Sequence, residues 1–273
     1  MANRKKVRLF DSHTHCEFSP DSRIKMKDAI ERAFQTGLGG ITFTDHLDID
    51  TPTQDRSFMF NPAEQQAAID ILKKRESIEV LKGIEVGLQP HTLEKVADYL
   101  EGSVFDQVII SVHFVDGVDP YHQPYYDGKD LKMAYGRYLD IIFDCITKYK
   151  DFDILGHFDY IARYAPYWQK SMLYADFPVQ FDRILSTLAS QGKALEINTG
   201  TYREKNGSKP TLDSFVLKRF KELGGKYVSL GSDAHDLERI GENFSYYSHL
   251  IKNCGFEYIT HFKKREPELI MIK

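Results

Sequence analysis

Short apolar runs that alternate with helix-like segments constrain the fold of this chain more than any other feature. The sequence predicts seven strands, at residues 7–10, 40–44, 78–84, 108–112, 153–156, 194–195 and 227–232. Apolar residues at helical spacing predict helices over residues 22–36, 62–75, 93–99, 131–149, 179–190 and 214–223. The strands are short and mostly apolar, which is typical of buried parallel strands covered by crossover helices. Because such units connect right-handedly, they wind into a sheet or close into a barrel.

Each predicted strand ends at, or is followed by, a side chain that can bind a metal ion. In chain order these are His13 with His15, Asp45 with His46, Glu85, His113, His157, Glu196 with Asn198, and Asp233 with His235. His13 and His15 lie two residues apart on an extended segment, so their imidazoles point the same way. Active sites of α/β barrels lie at the carboxyl ends of the strands. The sequence therefore predicts an α/β barrel with seven core strands and a metal cluster at that end.

Length, charge and cysteine content argue against several other classes of protein. The 273 residues, 42% hydrophobic and 28% charged, suit one domain over residues 1–273. A net charge of −4 without a basic block argues against nucleic acid as a partner. No run of about 18 apolar residues and no signal-peptide core is present, so no membrane contact is expected. Cys16, Cys145 and Cys254 show no recurring spacing, as expected of a cytoplasmic protein.

The motifs at the strand ends resemble those of the PHP (polymerase and histidinol phosphatase) superfamily, and within it the histidinol-phosphatase branch. The motifs that carry the resemblance are Asp11-Ser12-His13-Thr14-His15, Thr44-Asp45-His46, Gly83-Ile84-Glu85, Ser111-Val112-His113, Gly156-His157 and Ser232-Asp233-Ala234-His235. They occur in order over nearly the whole predicted barrel. The resemblance implies a distorted (β/α)7 barrel, similar to a TIM barrel, with two or three divalent metal ions at the carboxyl ends of its strands.

The resemblance also implies which side chains bind each ion. The first ion would be bound by His13, His15, Glu85 and Asp233. The second would be bound by Glu85 as a bridging ligand, His113 and His157. The third would be bound by Asp21, His46 and His235; many relatives have histidine where Asp21 stands, so the chain departs from the family pattern there. Mixed imidazole and carboxylate ligands suit Zn, Mn or Fe, whereas thiolate-preferring ions would require cysteines.

Charge balance indicates that the cluster acts on phosphate. Three divalent ions carry about +6, three carboxylates about −3 and a bridging hydroxide about −1, which leaves about +2 to match a phosphate monoester dianion. The expected mechanism is attack of the metal-bridging hydroxide on phosphorus, in line with the leaving alkoxide. An alkoxide leaves poorly, so a metal or a protonated side chain must meet it. Asp21, Asp45 and His235 are candidates for this catalytic role that the sequence does not rank.

Substrate selectivity requires protein groups around the metals. Arg163 and Arg203 follow strand ends and can bind phosphate with paired hydrogen bonds, although surface salt bridges are the alternative. Glu196 is a candidate anchor for the substrate's amine, or else an acceptor for backbone N–H groups. Nearby aromatic residues are candidates to stack on the substrate: Tyr160, Tyr164, Tyr167, Trp168 and Tyr202. His91, His122, His249 and His261 lie off the predicted strand ends, which predicts surface or packing roles for them.

The expected function is metal-dependent hydrolysis of L-histidinol phosphate, a small phosphate monoester, to L-histidinol and phosphate in histidine biosynthesis. Two other activities of the same superfamily remain open: hydrolysis of nucleotides or oligonucleotides, and hydrolysis of phosphotyrosine. A structural or metal-storage protein fits less well, because structural zinc sites are closed and commonly use cysteine. The sequence leaves the number of metals, the general acid and the oligomeric state open.

Overall fold

The computed structural model of the protein describes residues 8–52, 58–73, 78–205 and 207–273. Seven parallel strands form a curved sheet in the order β1-β2-β4-β5-β6-β7-β8, and a short strand β3 pairs with β4 as well. The strands are β1 Phe10–Thr14, β2 Gly40–Phe43, β3 His46–Asp48, β4 Glu79–Gly87, β5 Gln107–Ser111, β6 Ile154–Leu155, β7 Ala194–Asn198 and β8 Tyr227–Gly231. The predicted α/β barrel is confirmed.

The first and last strands close the barrel at their carboxyl ends. Thr14 forms a parallel bridge with Ala234, and the His15 N–H donates to the Ala234 carbonyl at 3.1 Å. The Asp233 N–H donates to the His13 carbonyl at 2.8 Å. Asp11 strengthens this seam, because its carboxylate accepts the N–H groups of Ser232 and Gly241, both at 2.9 Å. Asp11 therefore holds the strand ends together rather than lining the cavity.

Six helices follow the strands and a seventh precedes a final hairpin. They are α1 Met26–Gln35, α2 Pro62–Leu72, α3 Leu93–Leu100, α4 Leu131–Lys148, α5 Pro178–Gln191, α6 Ser214–Glu222 and α7 Phe244–Asn253. Asn61, Asp130 and Asp213 begin α2, α4 and α6 by accepting backbone N–H groups of the first turn. The left-handed Gly192 ends α5. Residue 7 of the first predicted strand and residues 74 and 75 of the second predicted helix lie outside the described residues. None of the described helices is long and apolar enough to cross a membrane.

Strand interiors differ from the prediction in one respect that matters for the site. Glu85 was expected at the end of its strand, but β4 continues to Gly87 because β3 pairs with it there, His46 opposite Glu85. The register between β1 and β2 shifts between Asp11 and Thr14, which marks a bulge at the His13 position. Several ligand candidates therefore lie within strands and point into the barrel, rather than on the loops beyond it.

The C-terminal hairpin was not predicted and covers the other end of the barrel. Strands β9 Tyr258–Lys263 and β10 Glu266–Met271 pair antiparallel. Phe262 of β9 packs with Ile109, Ile154 and Ala194, which lie near the starts of β5, β6 and β7. The hairpin thus buries apolar side chains at the amino ends of the strands, opposite the predicted metal cluster.

Candidate metal centre

Glu85 is the centre of the side-chain cluster at the carboxyl ends of the strands. Its carboxylate is buried, and its two oxygens face different groups of histidines. Oε1 accepts a hydrogen bond from the Ser111 hydroxyl at 2.6 Å, which fixes the rotation of the carboxylate. Oε2 lies 3.0–3.4 Å from ring nitrogens of His13, His15 and His46, yet it has no hydrogen bond. A buried acceptor ringed by nitrogens in this way is placed for a shared cation.

The first group of ligand atoms has the spacing of a tetrahedral site. Nε2 of His13 and Nε2 of His15 are 3.2 Å apart, and they lie 3.3 and 3.4 Å from Glu85 Oε2. Asp233 Oδ1 is 3.2 Å from His15 Nε2 and 3.8 Å from His13 Nε2. Ligand atoms about 2.0–2.1 Å from a tetrahedral zinc ion lie about 3.3 Å from one another. These four side chains therefore fit one ion.

A second group gathers around the other oxygen of Glu85. Oε1 is 2.7 Å from His157 Nε2 and 3.3 Å from His113 Nε2. All three side chains are buried or nearly so. Three protein ligands leave positions free for water or substrate, as catalytic metal sites require. Glu85 thus has the geometry of a bridge between two ions.

The third group lies at the rim and is more exposed. Asp21 Oδ2 is 3.5 Å from His46 Nε2 and 3.2 Å from His235 Nε2. The rings of His46 and His235 both stack on that of His15, at 4.2 and 4.3 Å between centroids. The Asp21 side chain is about two-fifths exposed. Asp21, His46 and His235 therefore lie together at the rim of the cavity, where the resemblance implied a third group of ligands.

The pKa values of the cluster are shifted by burial and by the close approach of carboxylates and imidazoles. Burial opposes a charged imidazole, but Asp48 and Glu85 outweigh it and raise the pKa of His113 to about 10. Burial likewise opposes the charged carboxylate, but His13, His113 and His46 hold the pKa of Glu85 well below its ordinary value. Burial and the neighbouring His46 and His235 lower the pKa of His15 to about 4. Metal ions would replace the protons that the other rings carry.

Three carboxylates lie behind candidate ligand histidines. Each contacts the ring nitrogen that faces away from the cluster, either directly or through a serine hydroxyl. Glu196 Oε1 is 2.7 Å from His13 Nδ1, and Asp48 Oδ1 is 2.8 Å from His113 Nδ1. Asp45 acts through Ser19, whose hydroxyl donates to Asp45 at 2.7 Å and lies 3.1 Å from His15 Nδ1. Such contacts fix the tautomer and the ring orientation of metal ligands. The sequence reasoning missed Asp48, although its position two residues after His46 was a usable signal.

Two predicted site residues lie elsewhere than expected. Glu196 was a candidate anchor for the substrate amine, but it is buried behind His13, and its Oε2 accepts the His157 N–H at 2.8 Å. Asp45 was a catalytic candidate, but it is buried and accepts hydrogen bonds from Cys16, Ser19 and Gln65. Neither carboxylate faces the cavity, so both orient ligand histidines instead. Of the three catalytic candidates, Asp21 and His235 line the cavity.

A cavity of about 590 Å³ opens above the cluster, and Glu85, His113, His157 and Asp233 form part of its lining. Arg163 also lines it, from the short 3-10 helix Tyr160–Arg163. The Arg163 Nε is buried without a hydrogen-bond partner, and among the described residues no carboxylate lies within 4.0 Å of its guanidinium. A half-buried guanidinium whose Nε has no hydrogen bond, beside the candidate metal ligands, is suited to bind an anion.

Arg203 reaches the same cavity but has partners already. Its Nε donates to Glu242 at 2.6 Å, and its terminal nitrogens donate to the carbonyls of Ser232 at 2.8 Å and Asp233 at 3.4 Å. Asp233 has a left-handed backbone with φ of 51°, which aspartate tolerates. Arg203 thus fixes the backbone segment that carries Asp233. Because its guanidinium nitrogens already donate hydrogen bonds, few N–H groups remain for phosphate.

The aromatic residues that were predicted to stack on the substrate fall into two groups, those that line the cavity and those that do not. Tyr160 and Tyr164 line the cavity together with Tyr121 and His122. Tyr202 is buried and donates its hydroxyl to Asp159 at 2.9 Å, whereas Trp168 is fully exposed. The cavity wall is therefore aromatic on the side of Arg163.

The fold and the cluster together define a class of protein. A parallel α/β barrel with a shared carboxylate among histidines at the carboxyl ends of its strands is built for metal-dependent catalysis. Residues 11–200 match the family model described as PHP domain, and the chain belongs to this family.

Relatives within the family share nearly the whole chain. A histidinol-phosphatase of Lactococcus lactis subsp. lactis is 32% identical over 262 residues, which cover 94% of this chain and 95% of the relative. A probable histidinol-phosphatase of Clostridium acetobutylicum is 30% identical over 257 residues, which cover 94% of this chain and 98% of the relative. The crystal structure of the Lactococcus lactis histidinol phosphate phosphatase, complexed with zinc, L-histidinol and phosphate, is similar with a TM-score of 0.86 at 31% identity. That match covers 96% of this chain and 100% of the solved one.

Proposed function

We propose that the protein is a metal-dependent phosphoric monoester hydrolase that converts L-histidinol phosphate to L-histidinol and phosphate in histidine biosynthesis. The observation that carries this conclusion is the buried Glu85 carboxylate, shared by two groups of histidines on the floor of a cavity that Arg163 also lines. The similarity to the Lactococcus lactis enzyme, solved with histidinol and phosphate, supports the choice of substrate.

The ligand groups described above would hold two or three divalent ions of the Zn, Mn or Fe class. Such ions, when bound, supply Lewis acidity and acidify water at neutral pH. His13, His15, Glu85 and Asp233 would hold one ion, and Glu85, His113 and His157 a second. Asp21, His46 and His235 would hold a third. The carboxylates of Glu196 and Asp48 keep His13 and His113 in the tautomer that presents Nε2.

Arg163 is the side chain of the protein that would bind the phosphate group. Its free Nε and planar fork suit two parallel hydrogen bonds to phosphate oxygens. The aromatic wall of Tyr160 and Tyr164 then faces the alcohol part of the substrate. An imidazole and a cationic amine, as in histidinol, interact favourably with such rings. Selectivity for the alcohol therefore comes from this side of the cavity.

The leaving oxygen needs a proton or a cation, and the Asp21–His235 pair is placed to provide it. The two side chains are 3.2 Å apart and both line the cavity. Burial disfavours the charged ring, but Asp21 and Asp233 outweigh it and raise the pKa of His235. His235 can donate a proton while the third site holds no ion, and the same pair binds the ion when it is present.

The test is a comparison of substrates on the zinc-loaded protein. We expect kcat/KM for L-histidinol phosphate to exceed that for serine phosphate, mononucleotides and phosphotyrosine peptides by at least about tenfold, since only histidinol phosphate offers both an amine and an imidazole. Glu85→Gln protein, purified in parallel, controls for contaminating phosphatases. A higher kcat/KM for a mononucleotide or a phosphotyrosine peptide would contradict the proposal.

We further propose a cytoplasmic protein with one catalytic domain over residues 1–273 and no nucleic-acid partner. The net charge of −4 does not favour the binding of a polynucleotide, which is itself negatively charged. Cys16, Cys145 and Cys254 are all buried free thiols, which suits a reducing compartment.

A further inference from the structure

A second group of metal-binding side chains lies at the opposite end of the barrel, on the C-terminal hairpin. His261 of β9, Glu268 of β10 and Glu79 at the start of β4 each offer one ligand atom, and the three atoms lie within 4.8 Å of one another. This group shares no residue with the cluster around Glu85. Its position under the barrel separates it from the proposed substrate cavity.

The hairpin register brings two of these side chains together. His261 and Glu268 are directly opposite in the antiparallel pair, so their side chains lie on one face. His261 Nε2 is 3.3 Å from Glu268 Oε2. Lys263 lies on the same face two residues along, and its ammonium is 2.5 Å from Glu79 Oε1. Glu266 is paired opposite Lys263 on this face, so the three carboxylates and the single ammonium leave it with a net charge of −2.

His261 is the observation that points to a ligand. Its side chain is only 4% exposed, and neither ring nitrogen makes a hydrogen bond. The ring stacks on Phe10 at 3.8 Å between centroids, with an angle of 12° between the planes. A buried imidazole whose nitrogens make no hydrogen bond is costly, and a cation on its Nε2 would remove that cost.

We propose that Glu79, His261 and Glu268 bind one divalent transition-metal ion of the zinc class. One imidazole and two carboxylates form a donor set that such ions accept. Glu268 is half-exposed, so the ion can enter from solvent and complete its coordination with water. The ion would displace the Lys263 ammonium from Glu79 and connect the first residue of β4 to both strands of the hairpin. Its role is to fix the hairpin on the barrel, not to take part in phosphate hydrolysis.

The test is zinc content at a fixed free zinc concentration, measured by elemental analysis of wild-type, His261→Gln and Glu268→Gln proteins. We expect both variants to bind one zinc fewer per chain than wild type and to keep wild-type phosphatase turnover. His249→Gln is the matched control, because His249 lies exposed on α7; it should keep the wild-type zinc content. Glu268 is half-exposed, so the Glu268→Gln result stands even where His261→Gln does not fold.

Thermal unfolding provides the second readout. At free zinc about a hundredfold above the dissociation constant, the wild-type midpoint should rise by about 3–6 °C relative to Glu268→Gln. Equal zinc content in wild type and Glu268→Gln, or an equal response of their midpoints to zinc, would overturn the proposal. In that case His261 is held by its stacking on Phe10 and its contact with Glu268.

Discussion

The two ends of the barrel are built from the same strands but have opposite interiors. At the carboxyl ends, Glu85 is buried among imidazoles, and one of its oxygens has no hydrogen bond. At the amino ends, Phe262 packs with apolar strand residues, and the Arg265 Nε donates to Asp153 at 2.6 Å. Buried polar groups without partners cost free energy, whereas apolar burial and satisfied ion pairs stabilise the fold. The comparison indicates that the carboxyl end is organised for catalysis and that the amino end, apart from the unbonded ring of His261, is organised for stability.

Changing the bridging ligand should have the largest effect on activity. Glu85→Gln removes the charge that both groups of histidines share, so we expect loss of bound metal and a fall in kcat/KM of at least about 100-fold, beyond what changes outside the ligand shell cause. Elemental analysis and turnover of L-histidinol phosphate measure the two effects. Glu94→Gln on the exposed face of α3 is the control. Near-normal metal content and rate in Glu85→Gln would remove Glu85 from the centre of the site.

A carboxylate behind the ligands should have a smaller effect. Asp48→Asn keeps the shape but weakens the hold on His113 Nδ1, so metal affinity or turnover should fall about 10–100-fold. Asp50→Asn is the matched control, since Asp50 is exposed and pairs with Lys95. The measurement is zinc affinity in competition with a chelator. An Asp48→Asn variant with wild-type affinity would show that His113 is held by packing alone.

The fold was predictable from the sequence, and so was the gathering of the candidate ligand side chains at one end of the barrel, because strand–helix alternation and polar residues at strand ends are local patterns. The hairpin was not predictable, because β9 and β10 are defined by contacts with the barrel, such as that of Phe262 with Ile154. The choice between alternative roles for Glu196 and Asp45 also needed the structure, since only the fold shows which side of His13 and His15 each carboxylate occupies. The partners of Arg203 likewise come from a distant segment, at Glu242.

A change at Arg163 should affect substrate binding more than the chemical step. Arg163→Lys keeps the charge but loses the planar fork, so we expect a higher KM and a kcat/KM about tenfold lower, with unchanged metal content. Steady-state kinetics on L-histidinol phosphate measure KM and kcat separately. Arg183→Lys, whose guanidinium stacks on Phe143 at the surface, is the control. Wild-type kinetics in Arg163→Lys would leave phosphate binding to the metals or to Arg203.

Changes at the amino end should leave activity unchanged and lower stability. Arg265→Gln leaves the buried Asp153 carboxylate without its ion pair, so we expect a loss of about 2 kcal/mol and an unfolding midpoint about 5 °C lower. Thermal unfolding and turnover, measured on the same preparation, check both statements. Lys95→Ala breaks an exposed pair with Asp50 and should leave the midpoint unchanged. A loss of turnover in folded Arg265→Gln would contradict the division between the two ends.

The most direct test of the account is to remove the metals and return them in measured amounts. We expect chelator-treated protein to stay folded, to lose at least about 100-fold of its turnover of L-histidinol phosphate, and to recover it only after about two or more equivalents of zinc are added, because in our proposal Glu85 would be shared by two ions. Metal-free protein, verified by elemental analysis, that kept its turnover would contradict the assignment of catalysis to the metal cluster.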